Sequence, residues 1–200
     1  MRRNHRLHRV AGIIMLTPLL AWTCTGAVFL IQPGYGDAYA PLSVRQYPME
    51  APLSVTPRPQ WLEYRVLRSV LGQHLVARTA EGWEHLHAET LETFNLEDDA
   101  QRRELIADAI TSNPERYGVL TGKEGERYLT SKGVEIELNA QNLSLRQYGG
   151  DTRWIDRLYQ VHYLQWSGIK SLDKVIGVAA LLLLALLSIT GLRLVMASRR

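Results

Sequence analysis

Two stretches of this chain, residues 10–31 and 175–192, hold no charged side chain. At about 1.5 Å per helical residue, each covers most or all of a ~30 Å hydrocarbon core. Between them the apolar positions come in short alternating runs and in one helical stripe, divided by turn residues, as in a domain that folds in water. The pattern predicts two transmembrane segments with a folded domain between them.

Within that middle the periods can be followed segment by segment. Tyr64, Val66, Leu67 and Val70 fit either a strand or a short helix. Residues 73–79 and 83–90 form a strand pair around Glu81-Gly82, with Leu75, Ala77, Trp83, His85 and His87 alternating, and residues 91–95 can add another strand. A helix is predicted over 96–112. Glu97, Asp98 and Asp99 complement its dipole, Leu105, Ile106, Ala109 and Ile110 form its apolar stripe, and Asn113-Pro114 ends it. Strands follow at 117–120, 127–130, 134–138 and 143–148, with turns at 122–125, at Lys132-Gly133 and at 139–142, and Gly149-Gly150 closes the sheet. In the third of these, Val134, Ile136 and Leu138 share one face while Glu135 and Glu137 take the solvated one.

A last amphipathic helix is predicted over 151–166, capped by Asp151 or Thr152, with Ile155, Leu158, Tyr159, His162 and Trp166 on one face. Trp154, Tyr159, Tyr163 and Trp166 suit it to the headgroup level of a bilayer. Six of the 8 prolines fall in 33–59, so an extended, semi-rigid linker is expected there, with Tyr35, Tyr39 and Tyr47 resting at the membrane interface. The fold class is α+β: two transmembrane helices flank a small antiparallel sheet with a covering helix. The expected divisions are a basic tail at 1–9, a first span at 10–32, a linker at 33–60, a folded domain at 61–150, an interfacial helix at 151–170, a second span at 171–193 and a tail at 194–200.

Charge orients this arrangement. Arg2, Arg3, Arg6 and Arg9 precede the first span, and Arg193, Arg199 and Arg200 end the second. Basic flanks stay on the cytoplasmic side, so both termini are expected there and the middle on the opposite face. Seven of the 23 basic residues lie in these ends, which leaves sixteen against all 20 acidic residues and a formal net of −4 in the middle. The overall net of +3 therefore reports topology and contact with anionic headgroups, not nucleic acid. The first apolar stretch, at about 22 residues, exceeds the 7–15 residues of a signal-peptide core, so a retained anchor is expected over a cleaved leader. Thr23 stands where a lipoprotein signal wants Gly or Ala, and Cys24 is expected to be a packing residue. A single cysteine cannot form an intramolecular disulfide, so the outer domain is held by packing alone.

Candidate chemistry is sparse. His5 and His8, three apart among arginines, suit headgroup contacts, or a single metal ion more than a haem plane. His85 and His87 share a strand face and could form a weak metal pair, although an exposed face is the expectation. His162 fits an interfacial residue bonded to a carbonyl or headgroup, or a haem or metal ligand. Thr25-Gly26 and Thr190-Gly191 are expected to let the spans pack closely, each hydroxyl bonding its own helix backbone. No paired carboxylates, Ser-His-Asp order, phosphate-binding glycine loop or Cys-based metal spacing is evident.

These residues also carry a resemblance. Leu158-Tyr159-Gln160-Val161-His162-Tyr163, then Gly168, Gly177 and Ile189-Thr190-Gly191-Leu192, resemble the PepSY-associated transmembrane helix family, as do Leu7-His8-Arg9, Gly12 and Thr25-Gly26. Residues 134–138 and 143–146 fall where the family's PepSY module ends in an extended hairpin. The resemblance implies a bacterial inner-membrane protein with a periplasmic PepSY-like domain. Larger members include reductases and relatives in iron and siderophore uptake that hold b-type haem through histidines at span borders. His8 and His162 are the positions that match, but they fall at opposite membrane faces and cannot share one iron. Haem b would then need a homodimer or a partner subunit to supply the second ligand. The function expected first is an accessory or interaction subunit of a larger electron-transfer or iron-handling membrane complex, docking through Tyr159, Trp166, Thr25, Gly26, Thr190 and Gly191. The alternatives are a dimeric haem-binding redox protein or ferric-siderophore reductase component, and a regulator of an extracytoplasmic protease.

Overall fold

The computed structural model describes residues 2–50 and 52–198, so Arg199 and Arg200 of the basic end lie outside the described residues. The elements run α1 (Arg2–Ile31), α2 (Tyr35–Ala38), β1 (Glu63–Ser69), β2 (Gly72–Arg78), β3 (Trp83–His87), α3 (Asp99–Ile110), α4 (Pro114–Tyr117), β4 (Leu120–Glu124), β5 (Arg127–Thr130), β6 (Glu135–Asn139), β7 (Ser144–Tyr148), α5 (Gly150–His162) and α6 (Lys170–Ser198). They fall into two compact units, residues 1–35 with 153–200, and residues 36–152. Two long apolar helices thus flank two antiparallel sheets, an α+β arrangement.

The first unit is a helical hairpin. Residues 5–31 of α1 and 170–197 of α6 are long and apolar enough to cross a membrane. Met15 and Ala180 pack together with Leu164 at the seam, with Leu19, Trp22, Ile176, Leu183 and Leu184 around them. The outward residues, among them Ile13, Leu20, Leu30, Val178, Leu182 and Leu192, stay exposed, as lipid-facing positions must be. Helix α5 ends at His162 rather than running to Trp166. Leu164 adopts a left-handed φ of 56°. The Leu164 amide bonds the Val161 carbonyl and the Gln165 amide bonds the Gln160 carbonyl, the paired bonds of a Schellman stop. Leucine pays about 1–2 kcal/mol for that conformation, and burial of its side chain against Met15 and Ala180 offsets the cost.

The second unit holds the sheets. β1-β2-β3 is an antiparallel meander, and β4-β5-β6-β7 is another. One core lies between them: Leu67 and Val76 come from the first sheet, Tyr128, Ile136 and Leu145 from the second, and Leu105, Ile106, Ala109 and Ile110 from α3. Asp98 caps α3 by accepting the Ala100 amide at 2.9 Å. Asp99 in its first turn accepts from Lys123 at 2.8 Å, Arg103 at 2.6 Å and Tyr128 at 2.8 Å, so the helix start is tied to β4 and β5. Lys123 first, then Arg103 and Tyr128, hold that carboxyl well below the usual carboxylate range.

Beyond the one-turn helix α2, the described residues of the proline-rich stretch form no helix and no strand, as proline favours, but the stretch is not a free spacer. Leu42 and Val44 are buried in the main core. Leu53 and Val55 cover the back of the first sheet over Leu75, Ala77, Leu86 and Ala88. Tyr47 is tied to α3: its hydroxyl donates to Asp108 at 2.7 Å. A three-stranded sheet with two apolar faces needs a cover on each, and this segment supplies the second. Tyr117 also departs from expectation, closing the one-turn helix α4 behind the Asn113 cap instead of opening a strand. β4 therefore starts later and takes in Gly122, which was expected in a turn. Where the chain enters and leaves this unit the two ends are joined: Thr152 Oγ1 donates to the Ala38 carbonyl at 3.5 Å, and the Gln147 amide donates to the Ala40 carbonyl. Arg116, largely buried, backs this joint by donating to Asp151 at 2.8 Å and to Gln147 at 2.8 Å.

Candidate functional site in the membrane hairpin

Each Thr-Gly pair lies beside a histidine from another helix. Thr190 near the end of α6 lies 3.0 Å from His8 Nδ1 near the start of α1. Thr25 near the end of α1 lies 2.8 Å from Nδ1 of His162, the last residue of α5. Both threonines are buried, at 4% and 5% exposure, and both histidines are half-buried.

The threonine hydroxyls settle the tautomer. Thr25 Oγ1 lies 2.6 Å from the Ala21 carbonyl, and Thr190 Oγ1 lies 2.7 Å from the Leu186 carbonyl. A carbonyl only accepts, so each hydroxyl hydrogen is spent on its own helix. The threonine oxygen must then accept, and the hydrogen between it and the imidazole belongs to Nδ1. Neutral His8 and His162 therefore carry their lone pair on Nε2, and no hydrogen bond to either Nε2 occurs among the described residues. This is the state in which histidine ligates a metal: one nitrogen held by an outer partner, the other aimed outward as a donor of electrons.

The two seats differ in detail. A Cβ on Gly191 would stand 3.3 Å from His8 Cε1, so glycine makes room for that ring. A Cβ on Gly26 would meet nothing within 4 Å. His162 instead gains an aromatic wall. Phe29 meets its ring edge-on at 5.1 Å and stacks on Tyr159 at 4.7 Å. Trp22 Nε1 donates to the His162 carbonyl at 2.6 Å, which satisfies a carbonyl at the helix end. Trp22 and Phe29 escaped the sequence reading, although Trp22, Thr25 and Phe29 lie on one face of α1 at steps of three and four. Trp166 is exposed and donates to the Val161 carbonyl at 3.3 Å, apart from this cluster. His5 is exposed, and no group of three metal-binding side chains occurs among the described residues.

A second set of histidines lies in the sheet unit. His85 is not on an exposed face: it is 5% exposed, and only His87 meets solvent. The inner face of β2 and β3 turns into the core, and the row carrying Val76 and Trp83 carries His74 and His85 as well. His85 Nδ1 donates to the Ala140 carbonyl at 2.8 Å. His85 Nε2 then accepts from His74 Nδ1 at 3.0 Å, and His74 Nε2 accepts the Ser69 hydroxyl at 2.6 Å. The Ser69 oxygen accepts the Leu71 amide at 3.0 Å. Burial first, and then the neighbouring His85 and His87, push His74 down to about 4. Burial also lowers His85, with the bond to Ala140 opposing it. Serine, base and orienting group stand in the order of a hydrolytic triad. Ser69 is 2% exposed and His74 0%, however, so no substrate carbonyl reaches the hydroxyl.

No curated protein and no solved structure matches this chain. The sequence model of one family, described as the PepSY-associated TM region, matches residues 1–199, both Thr-Gly seats and both seated histidines included. The chain belongs to the PepSY-associated transmembrane family and is a membrane protein.

Proposed function

We propose that this protein is an accessory subunit of an electron-transfer or iron-handling complex, offering one histidine ligand at each face of the inner membrane to haem groups completed by a second chain. The observation that carries the reading is the pair of threonine seats, which leave Nε2 of His8 and of His162 free to ligate. About 17 helical residues separate His8 from Thr25, roughly 26 Å at ~1.5 Å each, so the two imidazoles serve separate groups. Each offers one axial ligand where haem b takes two, which calls for a second copy or another membrane subunit. A bound haem would supply one-electron transfer; the residues here orient its ligand and, through Phe29 and Tyr159, wall one side of the His162 ring.

The arginine-rich ends support cytoplasmic termini, with the sheet unit in the periplasm as a PepSY-like domain. The exposed Trp154, Tyr163 and Trp166 support an interfacial place for α5 and the turn after it. The test is an absorbance spectrum of the full-length protein purified in detergent from haem-replete cells. A Soret band is expected in an assembly larger than one chain, with H8A and H162A each removing about half of it. Haem-free protein, or a band that neither substitution changes, would sink the proposal.

A further inference from the structure

Within the sheet unit, the β1–β3 sheet meets the β6–β7 turn along a seam crossed, among the described residues, by two hydrogen bonds. His85 donates to the Ala140 carbonyl at 2.8 Å, and the Arg65 guanidinium donates to the Asn142 carbonyl. The first bond ends a chain in which every polar atom has one assigned role, from the Leu71 amide through Ser69, His74 and His85 to Ala140. The direction is set from the Ala140 end, because that carbonyl only accepts.

Such a chain has no place for another proton. A proton on His85 turns Nε2 into a donor facing another donor. His74 must then give its own hydrogen to Ser69 from Nε2, and the serine hydrogen loses its acceptor in a buried site. Nδ1 of the charged His85 keeps its hydrogen and still donates to Ala140, so the cost falls on the Ser69 end of the chain and on the buried charge itself. His87 stands across the sheet from His74 and packs on Phe94, whose ring stacks on His85 at 4.6 Å. Arg58, Glu84, Glu97 and Arg102 line the groove that reaches His85. Of these, Glu84 accepts from Trp61, Arg58 donates to the Leu91 carbonyl, and Arg102 donates to the Leu96 carbonyl and to Glu126. Among the described residues no carboxylate bonds either buried ring. The groove, about 500 Å³, also touches Ala140 and gives water a route to the seam.

We propose that the Ser69–His74–His85–Ala140 chain is a proton-operated latch, closed while both imidazoles are neutral and opened when a proton enters, because the buried imidazolium reaches water only by drawing His85 out toward the groove, so that the seam between the first sheet and the β6–β7 turn loosens as the surroundings acidify. The latch belongs to the sheet unit and does not depend on haem.

The experiment uses the full chain in detergent micelles, labelled at the histidine nitrogens, followed by NMR from pH 7.5 to 4, with hydrogen exchange of residues 83–88 and 139–143 over the same range. At neutral pH both rings are expected neutral with hydrogen on Nδ1. They should take up protons below the ordinary histidine value of about 6.5, while exchange in both segments rises at least tenfold beyond the intrinsic pH effect. An Nε2–H tautomer in either ring at neutral pH overturns the proposal, as does protonation with exchange unchanged. His85→Phe keeps a ring against Phe94 and removes the proton acceptor. Its seam should exchange rapidly at every pH, and persistence of the wild-type step in this variant overturns the latch. The wild-type titration needs no variant and decides the matter if His85→Phe does not fold.

Discussion

His8 and His162 in the hairpin share one trait with His74 and His85 in the sheet unit: hydrogen on Nδ1, imposed by a partner that can only accept. They differ at Nε2. In the hairpin that nitrogen has no hydrogen-bond partner among the described residues. In the sheet unit it is consumed, by His74 in one ring and by Ser69 in the other. One arrangement leaves a nitrogen lone pair without a hydrogen-bond donor among the described residues; the other closes a circuit. Burial alone would have ranked His74 as the more suspicious residue. The use of the far nitrogen reverses that ranking.

The largest expected break in the comparison is acid. His74 is neutral in the fold and lies near 4, against 6.5 for an ordinary histidine. Below 6.5 the unfolded chain binds the proton that the folded one refuses, so stability rises with pH there. Its contribution is fully present above about 6.5 and is lost as pH falls toward 4, by about 3 kcal/mol in all at 1.36 kcal/mol per unit. Urea unfolding of the full chain at pH 7 and at pH 4.5, followed by Trp83 fluorescence in a variant lacking the other tryptophans, measures it. A midpoint that does not move between the two would erase the difference between the histidine sets.

Next come the threonine seats. Thr25→Val and Thr190→Val keep the side-chain shape but remove the acceptor for Nδ1–H. On the proposed function each is expected to weaken haem retention 10–100-fold while helix content stays unchanged. Competition with apomyoglobin for the haem is the readout. Ser69→Ala, the matching change in the sheet unit, strips the donor from His74 Nε2 and leaves a buried acceptor unsatisfied. It should cost about 1–2 kcal/mol at pH 7, visible in the same urea midpoint, with haem retention unaffected. The smallest effect separates the two glycines. Gly191→Ala presses on His8 and should alter its share of the spectrum, whereas Gly26→Ala meets open space and should leave the His162 share as it was.

Much of the fold was legible because burial follows period. The stripe Leu105, Ile106, Ala109 and Ile110 lies buried where a 3.6-residue repeat puts it, and Ile136 lies in the core where alternation puts it. What escaped depended on partners distant in sequence. Nothing near Leu164 announces a left-handed helix stop; the residue is held there by Met15, about 150 positions earlier. Prolines in the linker predicted extended chain, yet α2 forms inside it, and only the uncovered back of the first sheet explains why Leu53 and Val55 lie down on it. His85 was expected in solvent because one sheet with one cover leaves a wet face, and a second sheet removes it. The threonine-histidine pairs were legible as positions and not as contacts. That step required the end of α6 to meet the start of α1, and the end of α1 to meet the end of α5.

The joint formed by Thr152, Ala38, Gln147, Ala40 and the half-buried Arg116–Asp151 pair has a mechanical consequence. A domain tethered at both termini is usually loaded like a thread pulled from its two ends, and it unravels from whichever strand is weaker. Here the two tethers are knotted where they leave the fold. A tug on either is shared in shear across the knot before any sheet strand feels it. A single protease cut in the stretch that lies on the first sheet would leave both fragments tied to the same place.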